Sequence, residues 1–129
     1  MRHLRTIWLV MGWAWVVVVI FISLTPNPPE PVRFWNADKL EHALAYSLLM
    51  LWFAQIFSRH MSRLLTAGLL ILLGVSLEIL QSFTGYRFFE VADMIANTTG
   101  VLLGWVWART GAGRIYAALE ARLNQPTVP

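Results

Sequence analysis

Nine residues have the side chains and the spacing to build one polar site. Asp38, Lys39 and His42 open an apolar run, and Tyr46 extends their stripe, because residues four apart share a helix face. Glu78 and Gln81, three apart, close a later run. Gly74 lies one turn below Glu78 and leaves room for a neighbour, and Arg87 follows in a short aromatic loop. Asp93 and Asn97 open the last run, on one narrow arc with Gly100 and Gly104. His42, Glu78 and Asp93 supply a base and two acids, and are also three hard ligands for a divalent metal. Lys39 and Arg87 supply cations for an anionic group, Arg87 in bidentate fashion. No H-E-x-x-H or other dense metal motif is present, and the absence of cysteine excludes thiolate sites, so neither a metal nor another cofactor is expected.

Each residue also has a purely structural role open to it. Asp38 and Lys39 can cap and anchor a helix at the membrane interface. His42 can be an inter-helix hydrogen-bond partner, and Arg87 a counter-ion for Glu78. Asn97, Gly100 and Gly104 suit close helix packing. Phe83, Tyr86, Phe88 and Phe89 suit an interfacial aromatic belt. Glu78 is the hardest to assign to structure alone, since a carboxylate at membrane depth needs a cation or a proton.

The elements that position these residues are membrane helices. The 129 residues are 57% hydrophobic and only 13% charged, against roughly a quarter charged in soluble domains. One domain over residues 1–129 is predicted, with helices at about 7–24, 37–58, 64–81 and 91–108. The first run is too long for a signal-peptide core of about 7–15 residues, and no A-x-A site follows it. Thr25–Pro31, with four prolines, forms an extended connector, and Phe34 and Trp35 suit the interface. Residues 58–63 form a tight basic turn. Residues 114–123 form a short amphipathic helix on the inner surface, with Ile115, Ala118 and Leu119 on one side, ahead of a loose tail over 124–129.

The expected fold is therefore all-α, an integral-membrane four-helix bundle with both termini cytoplasmic. Arg2, Arg5, Arg59, Arg63, Arg109, Arg114 and Arg122 fall on one side, and only Arg33, Lys39 and Arg87 on the other. That sorting accounts for the net charge of +3 without a nucleic-acid partner. The uncharged runs of helices 2 to 4 cover only about 21–24 Å at 1.5 Å per residue, short of a ~30 Å hydrocarbon core. Each helix must draw in polar residues at its outer end, which sinks a polar pocket into the outer leaflet. Local thinning of the bilayer is the alternative.

Asp38-Lys39-x-x-His42-x-x-x-Tyr46, then Glu78-x-x-Gln81 with Arg87, then Asp93-x-x-x-Asn97-x-x-Gly100-x-x-x-Gly104 resembles the VanZ-like family, over roughly residues 5 to 108. The resemblance implies a small multi-pass protein of the bacterial cytoplasmic membrane. The family is named for an accessory protein of glycopeptide-resistance clusters, associated with reduced susceptibility to the lipophilic glycopeptide teicoplanin.

Three functions are compatible with these residues. The favoured one is a membrane accessory or binding protein, whose partners are membrane lipids. Its pocket holds a polar head group while the helices flank the acyl or prenyl tail of a lipid-linked envelope intermediate or lipophilic glycopeptide. The second is a membrane-embedded enzyme acting on a lipid-linked substrate through His42, Glu78 and Asp93. The third is a scaffold with internal ion pairs and no ligand.

Overall fold

A computed structural model describes residues 2–26 and 37–123. Most of the proline-rich connector, with Phe34 and Trp35, and the tail 124–129 lie outside the described residues. The described chain is all helical: α1 (Arg2–Leu24), α2 (Ala37–Ile56), α3 (His60–Ser82), α4 (Val91–Trp107), a 3-10 turn (Gly111–Arg114) and α5 (Ile115–Leu123). In apolar surroundings a helix satisfies its own backbone groups, which suits runs rich in Val, Ile and Leu.

α1 and α3 are each long and apolar enough to cross a membrane. α2 begins with Asp38, Lys39 and Glu41, and α4 has only 17 residues, so neither qualifies on length and composition. α3 starts at His60, four residues earlier than its apolar run. The added turn carries Arg63, whose guanidinium turns back to cap the neighbouring helix ends. It donates to the carbonyls of Phe57 (3.2 Å), Ala54 (3.0 Å) and Ala108 (3.4 Å). A cation is favoured where helices leave carbonyls unpaired.

The most extensive packing is between α2 and α4. It depends on two glycines. A Cβ on Gly100 would collide with the carbonyl of Ala43, and one on Gly104 with the carbonyl of Ser47 and, at 2.9 Å, with Met50 Cβ. Around that contact Leu49, Met50, Ala54 and Val101 are fully buried. α1 joins through Gly12, which faces Trp52 and Phe53, and through Trp8, stacked on Trp52 at 4.5 Å. The outer faces are apolar: Val17, Phe21, Leu65, Leu69, Leu72 and Val106 are all more than half exposed, a surface suited to hydrocarbon and not to water.

α5 is held by side-chain bonds at the Arg63 end of the helices. Gln55 donates to the carbonyl of Ala112 (2.6 Å) and accepts from the Tyr116 N–H (3.3 Å). Tyr116 is buried edge-on against Trp8, while Ile115 and Leu123 stay exposed.

Candidate functional site

At the opposite end from Arg63, the first turns of α2 and α4 and the last turns of α3 meet. Lys39 lies at the centre. Its Nζ is 2.6 Å from Asp38 Oδ2 and 2.5 Å from Glu90 Oε2, and it also contacts Asp93 Oδ1. One turn along α2, His42 donates from Nδ1 to Asn97 Oδ1 at 3.0 Å, and its Nε2 lies 3.8 Å from Asp93 Oδ2. Asp38 and Glu90 are exposed, whereas Asp93 and Asn97 are buried. The cluster therefore runs from a wet rim to a dry floor.

The floor is Glu78 and Tyr46. Glu78 is 1% exposed, and its Oε1 accepts the backbone N–H of Glu90 at 2.5 Å. Tyr46 is 2% exposed, and its hydroxyl has no hydrogen-bond partner among the described residues. The edge of its ring would sit 3.4 Å from a Cβ on Gly74, and Asn97 would lie 3.1–3.2 Å from the same point. The absent side chain at 74 is thus the space into which α2 and α4 project polar groups.

Of the nine residues singled out by spacing, Asp38, Lys39, His42, Asp93 and Asn97 form one connected network. Glu78 and Tyr46 lie beneath it. Gln81 and Arg87 do not join. Gln81 is buried, but it donates to the carbonyl of Ser23 at the end of α1 (2.6 Å). Tyr86 does the same for the carbonyl of Leu24 (2.7 Å), so both residues finish a helix terminus. Tyr86 therefore has a specific task beyond an aromatic belt. The counter-ion role for Arg87 is corrected: it is half-buried on the α3–α4 loop and forms no ion pair with Glu78 among the described residues. The group that answers Glu78 is a backbone N–H.

Glu90 is the residue that sequence reasoning missed. It closes the ring around Lys39 through its side chain and caps Glu78 through its backbone. One signal was available: Glu90 precedes Asp93 by three, the offset that puts two side chains on one side of a helix start. The metal-capable set shifts accordingly. Among the described residues the ligand atoms that converge, all within 4.8 Å of one another, belong to Asp38, Glu90 and Asp93, not to His42, Glu78 and Asp93.

The balance of charge is acidic. Among the described residues Asp38, Glu90 and Asp93 share one ammonium, that of Lys39, and Glu78 lies beneath them on a backbone N–H. Excess negative charge is costly in a low-dielectric setting unless a cation or protons answer it. Chemically the cluster can hold a cation at its rim and orient a polar group over His42 and Asn97.

The VanZ/LLP1 family model matches residues 2–112. A protein of Schizosaccharomyces pombe, named only as uncharacterized, is 31% identical over 93 residues, which are 68% of this chain and 54% of that protein. The chain thus spans about half the length of that relative. No solved structure matches.

Proposed function

We propose, from the premise that this chain belongs to the VanZ/LLP1 family, that it is a multi-pass membrane accessory protein. In this reading α1 to α4 cross the bilayer as a four-helix bundle with both termini cytoplasmic. The polar cluster at the far end from Arg63 forms a pocket in the outer leaflet. It binds the polar head of a lipid-linked cell-envelope component or the lipid-bearing part of a lipophilic glycopeptide. The membrane concerned is the bacterial cytoplasmic membrane.

One observation carries the reading. A connected polar cluster, exposed at its rim and buried at its floor, lies between helices whose outward faces are apolar. A ligand with a charged head and a hydrocarbon tail matches both surfaces at once. Buried polar side chains without structural need are also the ones a membrane protein retains for a task. The test is native mass spectrometry of the detergent-solubilised protein. A stoichiometric lipid that is lost in His42→Ala supports the pocket, and a lipid-free wild-type protein refutes it.

The enzymatic reading has its own supporting observation. His42 is oriented by Asn97 through Nδ1 while Nε2 faces Asp93, an arrangement suited to general acid–base work. Under that reading the co-purified lipid is converted by wild type and persists unconverted in His42→Ala.

A further inference from the structure

We infer that the end of the helices that carries Arg63 is a docking surface for anionic phospholipid head groups, with Arg109, Arg114 and Arg122 as its phosphate-binding side chains. The surface lies at the opposite end from the pocket and does not rest on it. Its charge is unbalanced. Arg5, Arg59, Arg109, Arg114 and Arg122 are all exposed there, and none forms an ion pair among the described residues. The one acidic side chain at this end among the described residues is Glu120, half-buried on α5. Such an excess of guanidinium groups attracts an anionic partner from outside the chain.

Two structural features make that partner a lipid and not a soluble anion. The first is Trp105. Its indole is half-buried near the end of α4, with the Arg109 guanidinium 5.5 Å over the ring and the His60 ring 5.9 Å away. Stacking steadies the guanidinium while Arg109 stays exposed, and its planar fork suits phosphate oxygens. An indole beside a cation also suits the boundary between head groups and hydrocarbon. Val106 and Trp107 are exposed next along α4, so surfaces for acyl chain and for head group adjoin.

The second feature is α5. Its bundle face is taken, since Tyr116 is buried against Trp8 and Gln55 holds the first turn. Ile115, Leu119 and Leu123 follow at four-residue spacing, so they form one row, and all three are exposed. Arg122 lies beside that row and Arg114 precedes it, both exposed. Water leaves the row unburied, and an inorganic anion answers the arginines alone. The head-group layer of a bilayer covers both, with arginine stems reaching past the leucines to phosphate. Sorting of arginines by topology accounts for the sign of this end, but it requires neither the stacked guanidinium nor the apolar row.

The experiment uses the full chain in a neutral detergent, titrated with phosphatidylglycerol or with phosphatidylcholine of the same acyl chains. Lipid occupancy is read by native mass spectrometry, and melting temperature in parallel. Phosphatidylglycerol should bind at least tenfold more tightly and raise the melting temperature further. Arg109→Gln, Arg114→Gln and Arg122→Gln should each weaken phosphatidylglycerol by up to about fivefold, the weight of one basic side chain at an anionic membrane surface, and leave phosphatidylcholine unchanged. Arg87→Gln, the same change at the opposite end, should leave both lipids unchanged. The preference should vanish as salt approaches about 1 M, where the Debye length is about 3 Å. Arg114 and Arg122 are exposed and make no ion pair among the described residues, so their double variant keeps the fold and decides if Arg109→Gln does not extract. Equal affinity for the two lipids overturns the proposal, as does a preference untouched in that double variant. A melting temperature raised as far by inorganic phosphate overturns it in favour of a free anion. A preference lost in Arg87→Gln overturns it by placing the head group at the opposite end.

Discussion

His42 on α2 donates from Nδ1 to Oδ1 of Asn97 on α4 at 3.0 Å, one residue before Ala43 and three before Gly100, the pair whose backbones meet. The hydrogen bond and the close approach fix the same register between the two helices. Asn97→Ala would leave the His42 donor without its partner in a part-buried place. The expected loss is about 1–3 kcal/mol of stability in detergent, the cost of an unsatisfied buried polar group. A double-mutant cycle with His42→Ala should show coupling of about 0.5–3 kcal/mol. Strict additivity of the two single changes would mean the bond does not hold α2 to α4.

The glycines of the α2–α4 contact should be intolerant of any side chain. Gly100→Ala and Gly104→Ala place a methyl group against the carbonyls of Ala43 and Ser47, and Leu at either position forces the helices apart. The expected result is loss of folded protein on detergent extraction. Gly68, on α3, provides the contrast, since a Cβ there meets nothing within 4 Å. Gly68→Ala should extract and melt like wild type. Folded but inactive Gly100→Leu would instead place that glycine in the path of the ligand.

The helices and half of the site were legible because both rest on periodicity. Asp38, His42 and Tyr46, or Asp93 and Asn97, share a face by spacing alone, and Gly100-x-x-x-Gly104 announces which face is inward. The rest depends on groups that side-chain patterns do not report. The partner of Glu78 is the backbone N–H of Glu90, and the partners of Gln81 and Tyr86 are carbonyls at the end of α1. Arg87 was paired with Glu78 on sign of charge, but the short loop that carries it turns at Gly85 (φ 78°) without bringing the two together. Arg63, read as a mark of topology, works as a cap for α2 and α4.

α5 should depend on one side chain. Gln55 is 8% exposed and bridges the carbonyl of Ala112 and the N–H of Tyr116. Gln55→Leu removes both bonds while keeping a side chain of similar size at the position. The helix should then detach, and trypsin should cut at Arg114 several-fold faster than in wild type while α1 to α4 keep their helical signal. An unchanged cleavage rate would show that burial of Tyr116 against Trp8 suffices to hold α5.

The last prediction sets Lys39 against Arg87. Both are cations that the charge pattern places at the same end of the helices, and sequence alone gives them similar weight. Lys39 contacts three carboxylates, one of them on the buried Asp93, whereas Arg87 forms no ion pair among the described residues. Removing one partner of a desolvated pair typically costs about 3–5 kcal/mol, because the other charge stays buried and unanswered. Partial exposure of Lys39, Asp38 and Glu90 places Lys39→Ala toward the lower end of that range. Arg87→Ala should stay within about 0.5 kcal/mol of wild type, as surface substitutions away from such contacts do. Combining Lys39→Ala with Asp93→Asn should recover part of the loss, since the buried charge is removed with its partner. The measurement is thermal stability of the three variants in one detergent without added divalent ions. If Arg87→Ala falls as far as Lys39→Ala, the acidic cluster is balanced by the loop, and Lys39 is not the cation at its centre.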